Sequence, residues 1–186
     1  MLQIWDVDWY LDEAQCPCDV HFTQWIDETG VAGCTIFHFG TGGHHHVGLH
    51  NLERGAPNPI LGITASQPEF QRFIELAIKH PRLSHAYQVW FGDIYLLNPR
   101  LLPPLDIVTL FHTGEFRGDS QDAYGALTDR QVADVLLDRL APAGWVAVFT
   151  GSFAYDKAAA IADDLVAEGR IVPAGDFKSL KLYRKA

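Results

Sequence analysis

Apolar residues along the chain alternate between short unbroken runs and longer stretches in which they recur every three or four positions. The runs Cys34–Phe39, Ile60–Ala65, Ala86–Phe91, Asp106–Phe111 and Trp145–Thr150 are too short for helices and rich in Ile, Val and Phe, so they predict buried strands. Between them, Phe70, Phe73, Ile74, Ala77 and Ile78 share one helical face, as do Val132, Val135, Leu136 and Leu140. Local signals place the helix starts. Ser66-Gln67-Pro68-Glu69 and Thr128-Asp129-Arg130-Gln131 both read as capping boxes, and Ser152 can cap a helix running to Glu168. Further helices are predicted from Cys18 or Asp19 through Thr29, ended by Gly30, and from His45 to Arg54, ended by Gly55. Two last strands, Arg170–Val172 and Ser179–Tyr183, are joined through Pro173 to Asp176, short enough for an antiparallel pair.

Strands alternating with helices define an α/β chain with a mostly parallel sheet covered on both faces. The expectation is a Rossmann-like, doubly wound, seven-stranded sheet ending in an antiparallel strand pair. Residues 1–186 read as a single domain, with 1–17 as an irregular arm carrying Trp5, Trp9 and Tyr10. The first strand runs into Gly40-Thr41-Gly42-Gly43 and then a helix. That order makes an anion- or nucleotide-binding unit, because glycines let a ligand approach the backbone and the helix start offers unpaired N–H groups. Ligands of such sheets bind at the carboxyl ends of the strands, where strand order reverses. Those ends here carry Gly40 to His44, Thr64 to Ser66, Gly92-Asp93 and Phe111-His112.

Composition narrows the partners. A net charge of −9 argues against a face built for nucleic acid. No run of about 18 apolar residues is present to span a membrane, and the acidic, aromatic N-terminus does not read as a signal peptide. Three cysteines, Cys16, Cys18 and Cys34, do not make a disulfide scaffold, so the expected setting is cytoplasmic and reducing. Cys16-Pro17-Cys18 could hold a metal if other ligands came near, and otherwise reads as two ordinary thiols in a loop. His46 and His50, four apart, share a helical face, but a metal there needs His38 or Glu53 close by.

The order of elements and the segments that punctuate it resemble the class I S-adenosylmethionine-dependent methyltransferases, over roughly residue 19 to the end. Phe37-His38-Phe39-Gly40-Thr41-Gly42-Gly43-His44 resembles that family's glycine motif. Phe91-Gly92-Asp93-Ile94 resembles its adenine-binding segment, and Leu105 to Phe111 its fourth strand. Leu140-Ala141-Pro142-Ala143-Gly144-Trp145 resembles the proline-glycine entry to its fifth strand. The resemblance implies S-adenosylmethionine as cofactor, with His38, Gly40, Thr41, Gly42, Gly43, His44, Thr64, Ser66, Asp93, Ile94 and Phe111 around it. It implies methyl transfer to a small-molecule or protein acceptor, with nucleic acid disfavoured by the charge.

This chain departs from the pattern in three places. His38 replaces the acidic residue at the end of the first strand, His44 replaces the third glycine, and the acidic residue after the second strand is missing, with Thr64 and Ser66 in its place. His112 and Glu115, at the start of the long polar loop His112 to Leu127, are the candidate catalytic groups, since an imidazole titrates near neutrality. Two other readings remain: a binding or scaffold protein that keeps the fold without the cofactor, and a metal-dependent enzyme using a histidine-rich rim of His38, His44, His45, His46, His50 and His112.

Overall fold

The computed structural model describes residues 2–186. Its strands are β1 (Ile36–Phe39), β2 (Ile60–Thr64), β3 (Tyr87–Phe91), β4 (Leu105–Thr109), β5 (Leu140–Phe149), β6 (Ile171–Phe177) and β7 (Leu180–Lys185). Its helices are α1 (Cys18–Thr29), α2 (His46–Leu52), α3 (Gln67–Lys79), α4 (Asp129–Arg139) and α5 (Tyr155–Ala167). The strands form one sheet in the order β3-β2-β1-β4-β5-β7-β6. β1 to β5 are parallel to one another, and β7 runs antiparallel to both β5 and β6. This is the expected doubly wound architecture, and its order reverses between β1 and β4.

Alternation along the strands divides the core between the two faces of the sheet. Phe37, Val108, Val146 and Val148 pack with Leu136 of α4 and Ala162 and Leu165 of α5. Ile36, Ile107, Ala147 and Phe149 pack with Phe22, Trp25 and Ile26 of α1, Val47 of α2 and Phe73 of α3. No helix among the described residues is long and apolar enough to cross a membrane.

Local differences from the expected boundaries have identifiable causes. Strand β1 begins two residues late because side chains take its first amides: Cys34 N donates to Asn58 Oδ1 and Thr35 N to Asp106 Oδ2. Helix α2 starts at His46, because His45 adopts a left-handed φ of 45°. Ser152 Oγ accepts from the amide of Ala154, which is itself the α5 N-cap two residues on, and so ties the turn into the helix without capping it. The closing strands are longer than their apolar cores suggest. β6 continues through Pro173 to Phe177 across a register shift, and the reversal falls at Lys178-Ser179 instead of Pro173 to Asp176. Proline is tolerated there because β6 is the sheet edge.

The two capping boxes fare differently. Thr128 and Gln131 exchange both hydrogen bonds at the start of α4. At α3 only half of the motif forms. Ser66 Oγ accepts from Glu69 N, but the Ser66 amide donates to Thr64 Oγ1, leaving the Glu69 carboxylate free to turn elsewhere.

Candidate active site

A cavity of about 440 Å³ opens at the carboxyl ends of β1 to β5, on both sides of the point where strand order reverses. Its size lies within the range of small-molecule sites. The floor is the glycine turn after β1, the ends of β2 and β3 and the segments after β4 and β5. The arm closes it. Trp5 N donates to Ala65 O and Gln67 N to Trp5 O, so the arm lies alongside the β2 end, while Gly43 N donates to Trp9 O. Trp5, Trp9 and Phe116 meet edge to face, with centroids 5.5 to 6.1 Å apart, and make one aromatic wall.

Three buried carboxylates border this space: Asp19, Glu69 and Asp93. Asp19 enters from the first turn of α1 and faces the end of β1, where its Oδ1 lies 3.5 Å from His38 Nε2 and its Oδ2 3.9 Å from His44 Nδ1. Burial alone would raise the Asp19 pKa, but the surrounding His38, His44 and His112 reverse the effect and hold it below the usual carboxylate range. Position 38 carries no acidic group, but a carboxylate stands beside it, brought by α1 from nineteen residues upstream. His38 itself lies beneath the cavity floor. Its Nδ1 pairs with Thr109 Oγ1 at 3.0 Å, and its Nε2 faces Asp19 Oδ1 at 3.5 Å without a well-formed hydrogen bond.

Glu69 fills a similar gap at the end of β2. Thr64 Oγ1 donates to its Oε2 at 2.6 Å and Thr41 Oγ1 at 3.4 Å. Burial pushes its pKa up to about 7, against the pull of these two hydroxyls. Asp93 stands at the end of β3. Its Oδ1 accepts from Tyr95 N, and its Oδ2 accepts from Gln121 Nε2 and Tyr124 OH at 2.9 and 2.6 Å. These contacts anchor the loop that follows β4 and leave room for about one further donor on a carboxylate with roughly four acceptor positions.

At the end of β4, His112 Nδ1 bonds Glu115 Oε2 at 3.1 Å, and Ser152 Oγ donates to Glu115 Oε1 at 2.5 Å. The relay fixes the ring with Nδ1 as donor and points the Nε2 lone pair at the cavity and at Cys18 Sγ, 3.9 Å away. Burial favours the neutral ring, but the hydrogen bond and charge of Glu115 prevail and raise its pKa.

Of the residues singled out in the sequence, Gly40, Gly42, His44, Thr64, Ser66, Asp93, Ile94, His112 and Glu115 border the cavity. His38, Thr41, Gly43 and Phe111 lie behind that lining. The glycine turn is covered. A Cβ on Gly40 would lie 2.5 Å from the His112 ring, one on Gly42 2.2 Å from the His44 ring, and one on Gly43 1.6 Å from Asp8 Oδ1. The histidine rim disperses: His45 is buried between Tyr87 OH and Glu69 O, with burial lowering its pKa to about 4. His46 pairs with Thr23, and His50 with Asp27. Among the described residues the grouping able to hold a metal is instead Cys16, Cys18 and His112. Asp19 and Glu69 are not visible as site residues in the sequence, and Cys16-Pro17-Cys18 is visible only as a metal candidate that needs further ligands, because His112 reaches it from a separate element.

Comparison with solved structures places the fold. The chain is similar to the N-methyltransferase NodS from Bradyrhizobium japonicum, in complex with S-adenosyl-L-homocysteine, at 12% identity and a TM-score of 0.61, over 90% of this chain and 86% of that one. It is similar to the RNA methyltransferase from Salinibacter ruber, also with S-adenosyl-L-homocysteine, at 16% identity and a TM-score of 0.54, over 91% and 90%. It is likewise similar to the [4+2]-cyclase SpnF, at 19% identity and a TM-score of 0.60, over 92% and 66%. No protein-family model matches the chain, and no curated protein does. The chain has the class I methyltransferase fold, a fold that also carries other chemistry.

Proposed function

We propose that the chain binds S-adenosylmethionine in this cavity and transfers its methyl group to a small molecule. The observation that carries the reading is the placement of three buried carboxylates, Asp19, Glu69 and Asp93, around one cavity at the reversal of strand order. They fit a ligand with a cationic amine at one end, ribose hydroxyls in the middle and an adenine amino group at the other. Asp19 would hold the amine, Glu69 with Thr64 the ribose, and Asp93 with the adjoining Ile94 the adenine. Bound S-adenosylmethionine would supply an electrophilic methyl group.

The chain's own contribution is positioning, exclusion of water and removal of a proton. His112, held by Glu115 and Ser152, presents its Nε2 lone pair to the cavity and can take the proton of an acceptor N–H, O–H or S–H. The aromatic wall of Trp5, Trp9 and Phe116 suits a flat or apolar acceptor. The space the arm leaves, and a net charge of −9, favour a small molecule over a nucleic acid.

A second reading is a binding protein of this fold that has lost the cofactor. It is favoured by the two imidazoles lying on Gly40 and Gly42, where the backbone would otherwise receive a ligand. Equilibrium dialysis with radiolabelled S-adenosylmethionine separates the two. Saturable binding displaced by S-adenosylhomocysteine supports the enzyme. No retained label at millimolar ligand supports the binding protein.

A further inference from the structure

We propose that Cys16, Cys18 and His112 form a site for a zinc-class divalent metal ion whose fourth position opens into the cavity. The site stands on geometry alone and does not depend on methyl transfer. Cys16 Sγ and Cys18 Sγ lie 3.5 Å apart, and Cys18 Sγ lies 3.9 Å from His112 Nε2. All three donor atoms fall within 4.8 Å of one another. A tetrahedral ion with zinc–sulfur bonds of about 2.3 Å and a zinc–nitrogen bond of about 2.05 Å sets S···S near roughly 3.8 Å and S···N near roughly 3.6 Å. The Cys16–Cys18 and Cys18–His112 separations differ from these by about 0.3 Å, within the reach of small side-chain rotations, and Cys16 Sγ lies within 4.8 Å of the His112 donor nitrogen.

The surroundings are those a metal site needs. His112 donates its other ring nitrogen to Glu115, which Ser152 holds in turn, so the imidazole is oriented by a carboxylate as metal-bound histidines commonly are. Cys16-Pro17-Cys18 ends at the start of α1, with both sulfurs held on the same side. Asp19 Oδ1 lies 3.7 Å from Cys18 Sγ and adds negative charge beside the thiolates. Three of the chain's own donors leave one tetrahedral position open, and Cys16, Cys18 and His112 all border the cavity. Two sulfurs and one nitrogen with an open position match the donor set of catalytic rather than closed structural zinc. That position would take a water or a thiol. An ion bound there occupies the His112 lone pair, so acidification of an acceptor would pass from His112 to the ion.

The test is a titration of the full, reduced, chelator-treated chain with Co(II) as the spectroscopic stand-in, followed by Zn(II) competition. The expected result is a thiolate-to-cobalt charge-transfer band saturating at one equivalent and bleached by zinc. The Cys16→Ser, Cys18→Ser double variant should lose the band, and Glu115→Gln should weaken metal binding by roughly 10- to 100-fold. A His46→Ala, His50→Ala variant should keep the band. Absence of the band in the wild-type chain overturns the site, whatever the variants do. So does its persistence in the folded double-cysteine variant, or its loss in the histidine variant. Because S-adenosylhomocysteine binding is measured separately, failure of either proposal leaves the other standing.

Discussion

The substitution Glu69→Gln isolates the energetic consequence of burying a carboxyl at the end of β2. Glu69 is almost fully buried, and its folded pKa stands at about 7 against an ordinary value of 4.5. For an acid whose folded pKa is raised, the folded state binds the proton more tightly. Its contribution to stability is full below pH 4.5 and is lost as the pH rises to 7. At about 1.4 kcal/mol per pH unit, the loss across that window is about 3 kcal/mol. The substituted amide keeps an oxygen for the Thr64 and Thr41 hydroxyls but cannot ionise. Urea unfolding of both proteins at about pH 4.5 and about pH 8 gives a stability for each protein at each pH. The wild type minus variant difference should move by about 3 kcal/mol between the two pH values, in favour of the variant at the higher one. For a chain of this size that equals a melting-temperature change of about 6 to 12 °C. Taking the difference cancels every other titrating group. Parallel pH profiles for the two proteins would refute the buried, ionisable carboxyl described here.

Other substitutions probe the site. His44→Ala removes the ring lying on Gly42 and should tighten S-adenosylhomocysteine binding by roughly fivefold, the equivalent of about 1 kcal/mol otherwise spent displacing a packed side chain; calorimetry showing unchanged or weaker binding contradicts obstruction. Asp19→Asn should weaken the same ligand by roughly 10- to 100-fold, since a hydrogen bond to a charged group is worth about 1.5 to 3 kcal/mol, while adenosine binding stays the same. Equal losses for both ligands would mean that Asp19 supports the fold and not the amine. Trp9→Ala deletes the edge contacts to Trp5 and Phe116 and should lower stability by about 1 to 3 kcal/mol in urea. A change below a few tenths would show that the arm does not depend on its aromatic wall.

Most of the architecture was legible because its signals are local. Thr128 and Gln131 lie three residues apart and find each other in any helix start. Runs such as Ile60 to Thr64 have few alternatives to a buried strand. Where expectation and structure part, a nearby side chain has intervened: the Thr64 hydroxyl took the Ser66 amide, so Glu69 became a cavity carboxylate instead of half of a capping box. The site was less legible because its parts come from distant elements. His38 looked like a lost acidic residue, yet Asp19 of α1 stands beside it. Cys16 and Cys18 read as loop thiols or, if other ligands come near, as metal ligands; the segment after β4 brings His112 to Cys18 from 94 residues away. Spacing in sequence holds no trace of such meetings.

The most direct test is a structure of the chain with S-adenosylhomocysteine bound. The ligand is expected across the strand-order reversal, its amine against Asp19, its ribose at Glu69 and Thr64, and its adenine beside Asp93. The His44 ring should have swung off Gly42. Saturating ligand that leaves the cavity empty, or that lies with none of the three carboxylates in hydrogen-bonding reach, would contradict the assignment.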